Sequence, residues 1–250
     1  ANPAARSAEG VSGLRAGPPP SANPAARSAE GVSGLRAGPL PSANPAARSA
    51  QGWPMSKRLM DWLITLALLP VALPLMAAIA LWVRLDSPGP ALFRQERVGR
   101  GGRLFRIHKF RTMRLHDDSG PQITASGDAR ITRAGRWLRR SKLDELPQLI
   151  DVLAGDMSLV GPRPEVPRYM ALYPDEARRR ILSVRPGITD RAAIGFRDEE
   201  RLLAASDNPE RTYVEQIMPI KQRLYLDYVA HHSIGGDLRI LLATVRSVIK

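Results

Sequence analysis

The chain is predicted to be α/β, mainly α, with an N-terminal re-entrant membrane helix–break–helix, a small β-hairpin, and amphipathic interfacial helices around a compact domain. Three observations predict this. Leu59 to Val83 is apolar except for Asp61 and Thr65, and is interrupted by Pro70 and Pro74. Two strand-like segments flank Gly99-Arg-Gly-Gly102. Elsewhere apolar residues recur at helical spacing, as in Leu146, Leu149, Ile150 and Leu153.

Residues 1–54 are predicted to be a disordered leader. Ala1–Ser21 and Ala22–Ser42 are near-identical copies, and a third, broken copy opens at Ala43. Each copy is rich in Ala, Gly, Pro and Ser and has almost no large apolar side chain to offset its ordering entropy. There is no periodic apolar core of a solenoid and no apolar stretch of a signal peptide. The working chain is therefore expected to start at Met55. The 250 residues carry 37 Lys and Arg against 24 Asp and Glu. The leader holds five arginines and two glutamates, so the remainder keeps a charge of +10. That excess points to a polyanionic partner or an anionic membrane surface. The absence of cysteine excludes disulfides, thiol nucleophiles and cysteine metal sites. His108, His116, His231 and His232 have no zinc-ligand spacing and read as surface or packing residues.

Residues 55–84 form the membrane segment. Its length suffices to span about 30 Å of hydrocarbon. The mid-segment prolines would remove backbone hydrogen bonds and bend a helix. Lys57 and Arg58 precede the segment, while Arg84, Arg94 and Arg97 follow it. Cations on both flanks favour keeping both ends on the cytoplasmic side, and no second apolar run follows. A wedge that enters and leaves one leaflet fits all of this; a kinked single span is the alternative. Asp61 could pair with Arg58 at i, i+3.

Residues 85–250 make the remaining domain. Pro90–Val98 and Arg103–Arg111 read as a hairpin closed by the glycine turn, ending in the cationic run Lys109-Phe-Arg-Thr-Met113. Asp117–Gly127 is a polar loop, and Gly135 to Arg140 a short basic helix. Arg168–Leu182 reads as a charged amphipathic helix, Arg185-Pro-Gly-Ile-Thr189 as a tight turn, and Glu199–Tyr228 as largely helical. Leu238, Leu241, Leu242, Val245 and Ile249 form the apolar stripe of a C-terminal helix that lies in the headgroup layer or packs on the domain. Aromatic residues are 5% of the chain and none are interleaved as stacking platforms, so no nucleic-acid partner is expected.

The chemistry is concentrated in Ser141-Lys-Leu-Asp-Glu-Leu-Pro-Gln-Leu-Ile-Asp151. Pro147 is tolerated only in a first helical turn, which puts the helix start near Leu143 or Asp144. Asp144 and Glu145 then sit at the positive end of the helix. One reading makes them an N-cap and a first-turn acid. The flanks favour another. Arg133, Arg136, Arg139, Arg140 and Lys142 lie upstream, and Gly155-Asp-Met-Ser-Leu-Val-Gly-Pro-Arg-Pro164 carries Arg163 rigidly back. A carboxylate pair ringed by arginines, after a membrane-type segment, suggests chemistry on a doubly anionic phosphate substrate.

Five segments together carry a resemblance over Met55–Lys250. They are the proline-broken helix, Lys109-Phe-Arg-Thr-Met113, Leu143-Asp-Glu-Leu-Pro-Gln-Leu149, Gly155–Pro164 and Arg185-Pro-Gly-Ile-Thr189, in that order. The chain resembles the bacterial sugar transferases called monotopic phosphoglycosyl transferases, in their minimal form. The resemblance implies transfer of a sugar 1-phosphate from a UDP-sugar to polyprenyl phosphate, with UMP released. It implies ping-pong kinetics through a covalent Asp144-phosphosugar, with Glu145 as its partner and Mg²⁺ held at both carboxylates. Lys109, Arg139, Arg163 and Arg185 match the family's basic positions and would hold phosphates. It further implies a catalytic domain on the cytoplasmic face of the bacterial inner membrane, contact with membrane lipid, and room for a homodimer. Two departures stand out. Leu73-Pro74 replaces a common Ser-Pro at the helix break, with Pro70 added, and Asp190-Arg-Ala-Ala193 replaces Gly-Trp-Ala-Gln after Pro-Gly-Ile-Thr.

Overall fold

The computed structural model describes residues 55–114 and 128–249. The repeat leader, the Asp117–Gly127 loop and His116 lie outside the described residues. Helix α1 (Met55–Asp86) opens the structure. It runs through Pro70 and Pro74 without a break, which corrects the expected helix–break–helix. Each proline removes one i→i−4 bond, leaving the carbonyls of Leu66 and Pro70 without that donor, yet a long apolar helix survives two such losses.

Lys57, Asp61, Thr65, Ala72, Ile79 and Val83 are buried, one stripe at helical spacing along the whole of α1. Large apolar side chains on the other faces are exposed, among them Trp62, Leu66, Val71, Leu73 and Leu81. A soluble core helix would bury them. Both ends of α1 are tied to the same domain. At the first end Arg58 donates to the carbonyls of Val152 (2.7 Å) and Leu153 (3.3 Å). At the second, Arg111 donates to Ser87 Oγ (2.7 Å), the Ser87 carbonyl (2.8 Å) and the Pro90 carbonyl (2.7 Å). Ile79 and Val83 pack there with Phe110 and Leu138.

Asp61 does not pair with Arg58. Its partner is Lys57, one helical turn back at 2.9 Å, and Lys57 also reaches Asp237 at 3.0 Å. All three are almost fully buried. Asp61 accepts in addition from Ser158 Oγ (2.8 Å), and Tyr228 donates to Asp237 (2.9 Å). Arg58 makes no ion pair among the described residues and donates to carbonyls instead. Removing one member of a buried charge cluster strands the others. Lys57→Ala is therefore expected to cost about 3–5 kcal/mol, read as a lowered Tm of the full chain in detergent micelles.

Strands β1 (Leu92–Val98) and β2 (Leu104–Phe110) pair antiparallel, Leu92 opposite Phe110 and Val98 opposite Leu104. Gly101 and Gly102 turn the chain at φ of 68° and 81°, a region glycine enters without a Cβ clash. Helix α2 (Arg133–Ser141) is capped by Thr132, whose side chain accepts from Gly135 N. A 3₁₀ turn (Leu143–Glu145) leads into α3 (Gln148–Ala154), which Gly155 ends at φ 97°.

Beyond α3, β3 (Ser158–Val160) runs parallel to β4 (Gly187–Thr189). The segment expected as a tight turn is thus extended backbone. Gly187 allows it: a Cβ there would stand 2.1 Å from the amide nitrogen of Gly161. The helix expected over Arg168–Leu182 is two pieces, α4 (Pro167–Met170) and α5 (Asp175–Ile181), because Pro174 lacks the N–H needed to continue. After β4 come α6 (Arg191–Gly195), α7 (Glu199–Ala204), α8 (Pro209–Thr212), a π-turn over Tyr213–Ile217, α9 (Met218–His231) and α10 (Ile234–Ile249). One core gathers α4–α9 around Tyr169, Phe196, Tyr213 and Tyr225. A second gathers β2, α3, β3 and α10 around Ile107, Val152, Val160 and Ile240. On α10, Asp237 and Ile240 face inward, whereas Leu238, Leu242 and Val245 of the expected stripe are exposed.

Candidate active site

The site is built where α2 stops. Lys142 adopts φ 58°, the one non-glycine in the left-handed region among the described residues, and its N–H returns to the Arg139 carbonyl. That reversal, with Leu143 and Leu146 packed against the apolar cluster under α1, turns the 3₁₀ segment inward. Asp144 is consequently buried, 8% exposed, and Glu145 points to the chain that follows β3. Neither carboxylate caps a helix, since no side-chain cap bond forms at the 3₁₀ turn or at α3.

Two of the four expected cations, Arg163 and Lys109, converge on Glu145. Arg163 is held bidentate, with Nη1 2.8 Å from Oε2 and Nη2 against Oε1. It also donates to the Ile188 carbonyl at 3.2 Å, and Lys109 Nζ lies 3.2 Å from Glu145 Oε1. Burial alone would raise the pKa of Glu145, but Arg163 and Lys109 hold it well below the usual carboxylate range. Asp144 goes the other way. Burial pushes its pKa up, the charge of Glu145 pushes it further, and the more distant Lys109 and Arg139 offset only part. Its Oδ1 has no hydrogen-bond partner among the described residues.

Asp144, Glu145, Lys109, Arg139 and Arg163 all line one cavity of about 980 Å³. Arg139 reaches it from α2, steadied by Glu200 (2.6 Å) and Thr112 Oγ1 (3.3 Å). Arg185 is not brought there. It donates to the Gly155 carbonyl at 2.9 Å, at the end of α3, and does not line the cavity. Arg133, Arg136 and Arg140 are exposed on the outer face of α2. Arg111, from the cationic run after β2, braces the end of α1.

The cavity wall also holds residues that the sequence reading missed: Arg97, Arg197, Glu199, Glu200 and Lys221. Lys221 is nearly buried, pairs with Glu199 at 2.6 Å and lies 5.0 Å from the Tyr213 ring centre. No local spacing marks that pair, because α7 and α9 bring its halves together from distant stretches. Asp190, the first residue of the departing segment, caps α6 by accepting from Ala193 N at 2.9 Å. Ala193, Ile194 and Phe196 line the cavity beyond it.

A family model described as bacterial sugar transferase matches residues 53–250. The chain belongs to the bacterial sugar transferase family. It is 42% identical over 202 residues to a UDP-glucose:undecaprenyl-phosphate glucose-1-phosphate transferase of Xanthomonas campestris pv. campestris, covering 78% of this chain and 39% of that protein. A protein of the same description from Caulobacter vibrioides is 41% identical, over 78% of this chain and 70% of its own. A UDP-N-acetylgalactosamine-undecaprenyl-phosphate N-acetylgalactosaminephosphotransferase of Aeromonas hydrophila is 39% identical, over 77% and 43% respectively. The chain thus spans well under half of the Xanthomonas and Aeromonas proteins. In this bacterial sugar transferase the matched region contains every residue of the cavity described above.

The carboxylate pair fits a divalent cation. Asp144 offers a buried oxygen without a partner, and oxygen ligands from one or two carboxylates plus substrate phosphate are what Mg²⁺ takes. Among the described residues no cluster of three or more acidic or histidine ligands exists. Phosphate oxygens and water would have to complete the shell. Both oxygens of Glu145 already accept from Arg163, one of them from Lys109 as well, so Asp144 is the better placed ligand.

Proposed function

We propose that this chain transfers a sugar 1-phosphate from a UDP-sugar to polyprenyl phosphate and releases UMP. One observation carries the reading: a buried carboxylate with an unpartnered oxygen, fenced by cations, in a cavity beside an apolar helix whose outer faces are bare. The descriptions of the related proteins name substrates of these classes.

Asp144 is the nucleophile. A carboxylate oxygen attacks the phosphorus that bears the sugar, the bond from that phosphorus to the UMP oxygen breaks, and UMP leaves with the electron pair. An acyl phosphate on Asp144 holds the sugar phosphate. A phosphate oxygen of the polyprenyl carrier then attacks the same phosphorus, and the Asp144 carboxylate departs unchanged. Glu145 fixes Arg163 and Lys109 beside the reacting phosphate, where they offset its charge. Arg139 supplies a third cation from α2, and Arg185, outside the cavity, is given no part. Mg²⁺ on Asp144 and Glu145 would lower the repulsion between the attacking carboxylate and the diphosphate. Product analysis with a panel of UDP-sugars tests the reaction class: UMP supports phosphosugar transfer, whereas UDP would mean plain glycosyl transfer.

We further propose that α1 is seated in the cytoplasmic leaflet of the bacterial inner membrane, its two ends on the same side. The attachment of both ends to one domain supports this, as do the cations at each end. Single cysteines test it in the cysteine-free chain. Ser87 is a poor probe, being buried against Arg111, so Ser56→Cys and Leu85→Cys are the exposed choices. Both are expected to resist an impermeant thiol reagent until the cells are opened. Labelling of one end in intact cells would mean that α1 spans.

A further inference from the structure

The outer face of α2 is absorbed by nothing in the mechanism. Ala134, Gly135 and Leu138 bury the inner face. Arg133, Arg136, Trp137 and Arg140 follow at i, i+3, i+4 and i+7, so they share the outer one, and all four are exposed. Trp137 is 50% exposed and stands against Trp82, itself 41% exposed, with ring centres 5.5 Å apart. Trp82 lies in the last turns of α1, next to the exposed Arg84. None of these four arginines makes an ion pair among the described residues. An acid among the described residues here, Asp86, lies near Arg133, and its carboxylate accepts from Ala134 N at 3.0 Å.

We infer that this surface docks on the anionic headgroups of a phospholipid bilayer. It rests on the reading that α1 lies in lipid. Tryptophan is favoured at the membrane–water boundary, where its ring meets the acyl edge and its N–H meets headgroups. A tryptophan pair at the end of an apolar helix marks that level. Arginines on the same face of α2 then stand among headgroup phosphates. The surface is continuous with the bare faces of α1, and its charge complements an anionic lipid rather than a zwitterionic one. Unlike Arg139, on the cavity side of the same helix, these side chains bind neither the dyad nor its cations. They set the height and tilt of the cavity over the bilayer.

The test is equilibrium partition of the purified full chain between two vesicle populations separable by density. One is phosphatidylcholine, the other phosphatidylcholine with phosphatidylglycerol. The wild type is expected to favour the second. Each juxtamembrane arginine is worth about fivefold, so Arg136→Gln with Arg140→Gln should cut that preference by about 25-fold. The charge-matched control is Arg201→Gln with Arg223→Gln, exposed residues on α7 and α9, and should leave the preference within about twofold. An equal loss in both variants, or no preference in the wild type, overturns the inference. Release from pure phosphatidylcholine vesicles with the preference intact would refute the seat of α1 in lipid while supporting this surface.

Discussion

Asp144→Asn is expected to lower the rate of UMP release by roughly 10⁴- to 10⁶-fold, the loss typical of removing a covalent nucleophile. Asparagine is nearly isosteric, so the 3₁₀ turn and its packing under α1 should survive. The unpartnered oxygen of Asp144 is the group that would attack, and an amide oxygen is a far weaker nucleophile. The same substitution removes an oxygen proposed as a ligand for Mg²⁺. A bound, correctly folded variant that has lost turnover separates chemistry from binding: the KM for the UDP-sugar should change little beside kcat. Retention of even about a tenth of kcat would place the nucleophile elsewhere.

Arg163→Lys is expected to reduce kcat by about 100-fold or more, although the charge is kept. Arg163 meets Glu145 with two nitrogens and the Ile188 carbonyl with one of them, a forked geometry that a single ammonium cannot copy. Lysine would leave one Glu145 oxygen to Lys109 alone and unfix the cation proposed to face the transferring phosphate. Steady-state kinetics on the membrane-reconstituted chain measures this. Unchanged kcat with raised KM would make Arg163 a binding residue only.

Much of the framework was legible because it is local. Gly99-Arg-Gly-Gly102 dictates a hairpin, and the pairing Leu92–Phe110 follows from it. Pro147 places a helix start in this stretch, but α3 begins at Gln148, four or five residues after the expected Leu143 or Asp144, because a 3₁₀ turn comes first. Asp144, Glu145, Lys109 and Arg163 come together as expected, since the loop from Gly155 to Pro164 has little freedom to go elsewhere. What was not legible is long-range. β3 and β4 are three residues each, too short for an alternating pattern, and their parallel pairing joins stretches far apart in the chain. Lys57 satisfies Asp61 and Asp237 together, and no periodicity in α1 announces a partner in α10. Arg185 and Arg111 lie in cationic motifs, yet both spend their guanidinium groups on carbonyls at helix ends. Charge in a motif tells which groups need partners, not whether backbone or phosphate supplies them. The split of Arg168–Leu182 was within reach, for Pro174 stands in the sequence where the helix must stop.

Intact-mass spectrometry of the full chain mixed with a UDP-sugar and Mg²⁺, with no polyprenyl phosphate present, tests the proposed chemistry most directly. The expected result is a mass increase of one sugar phosphate, mapped to the peptide carrying Asp144, with one UMP released per chain and later discharge on adding polyprenyl phosphate. An unmodified chain that releases UMP only once the lipid is added would contradict it, since both substrates would then have to meet in a single displacement.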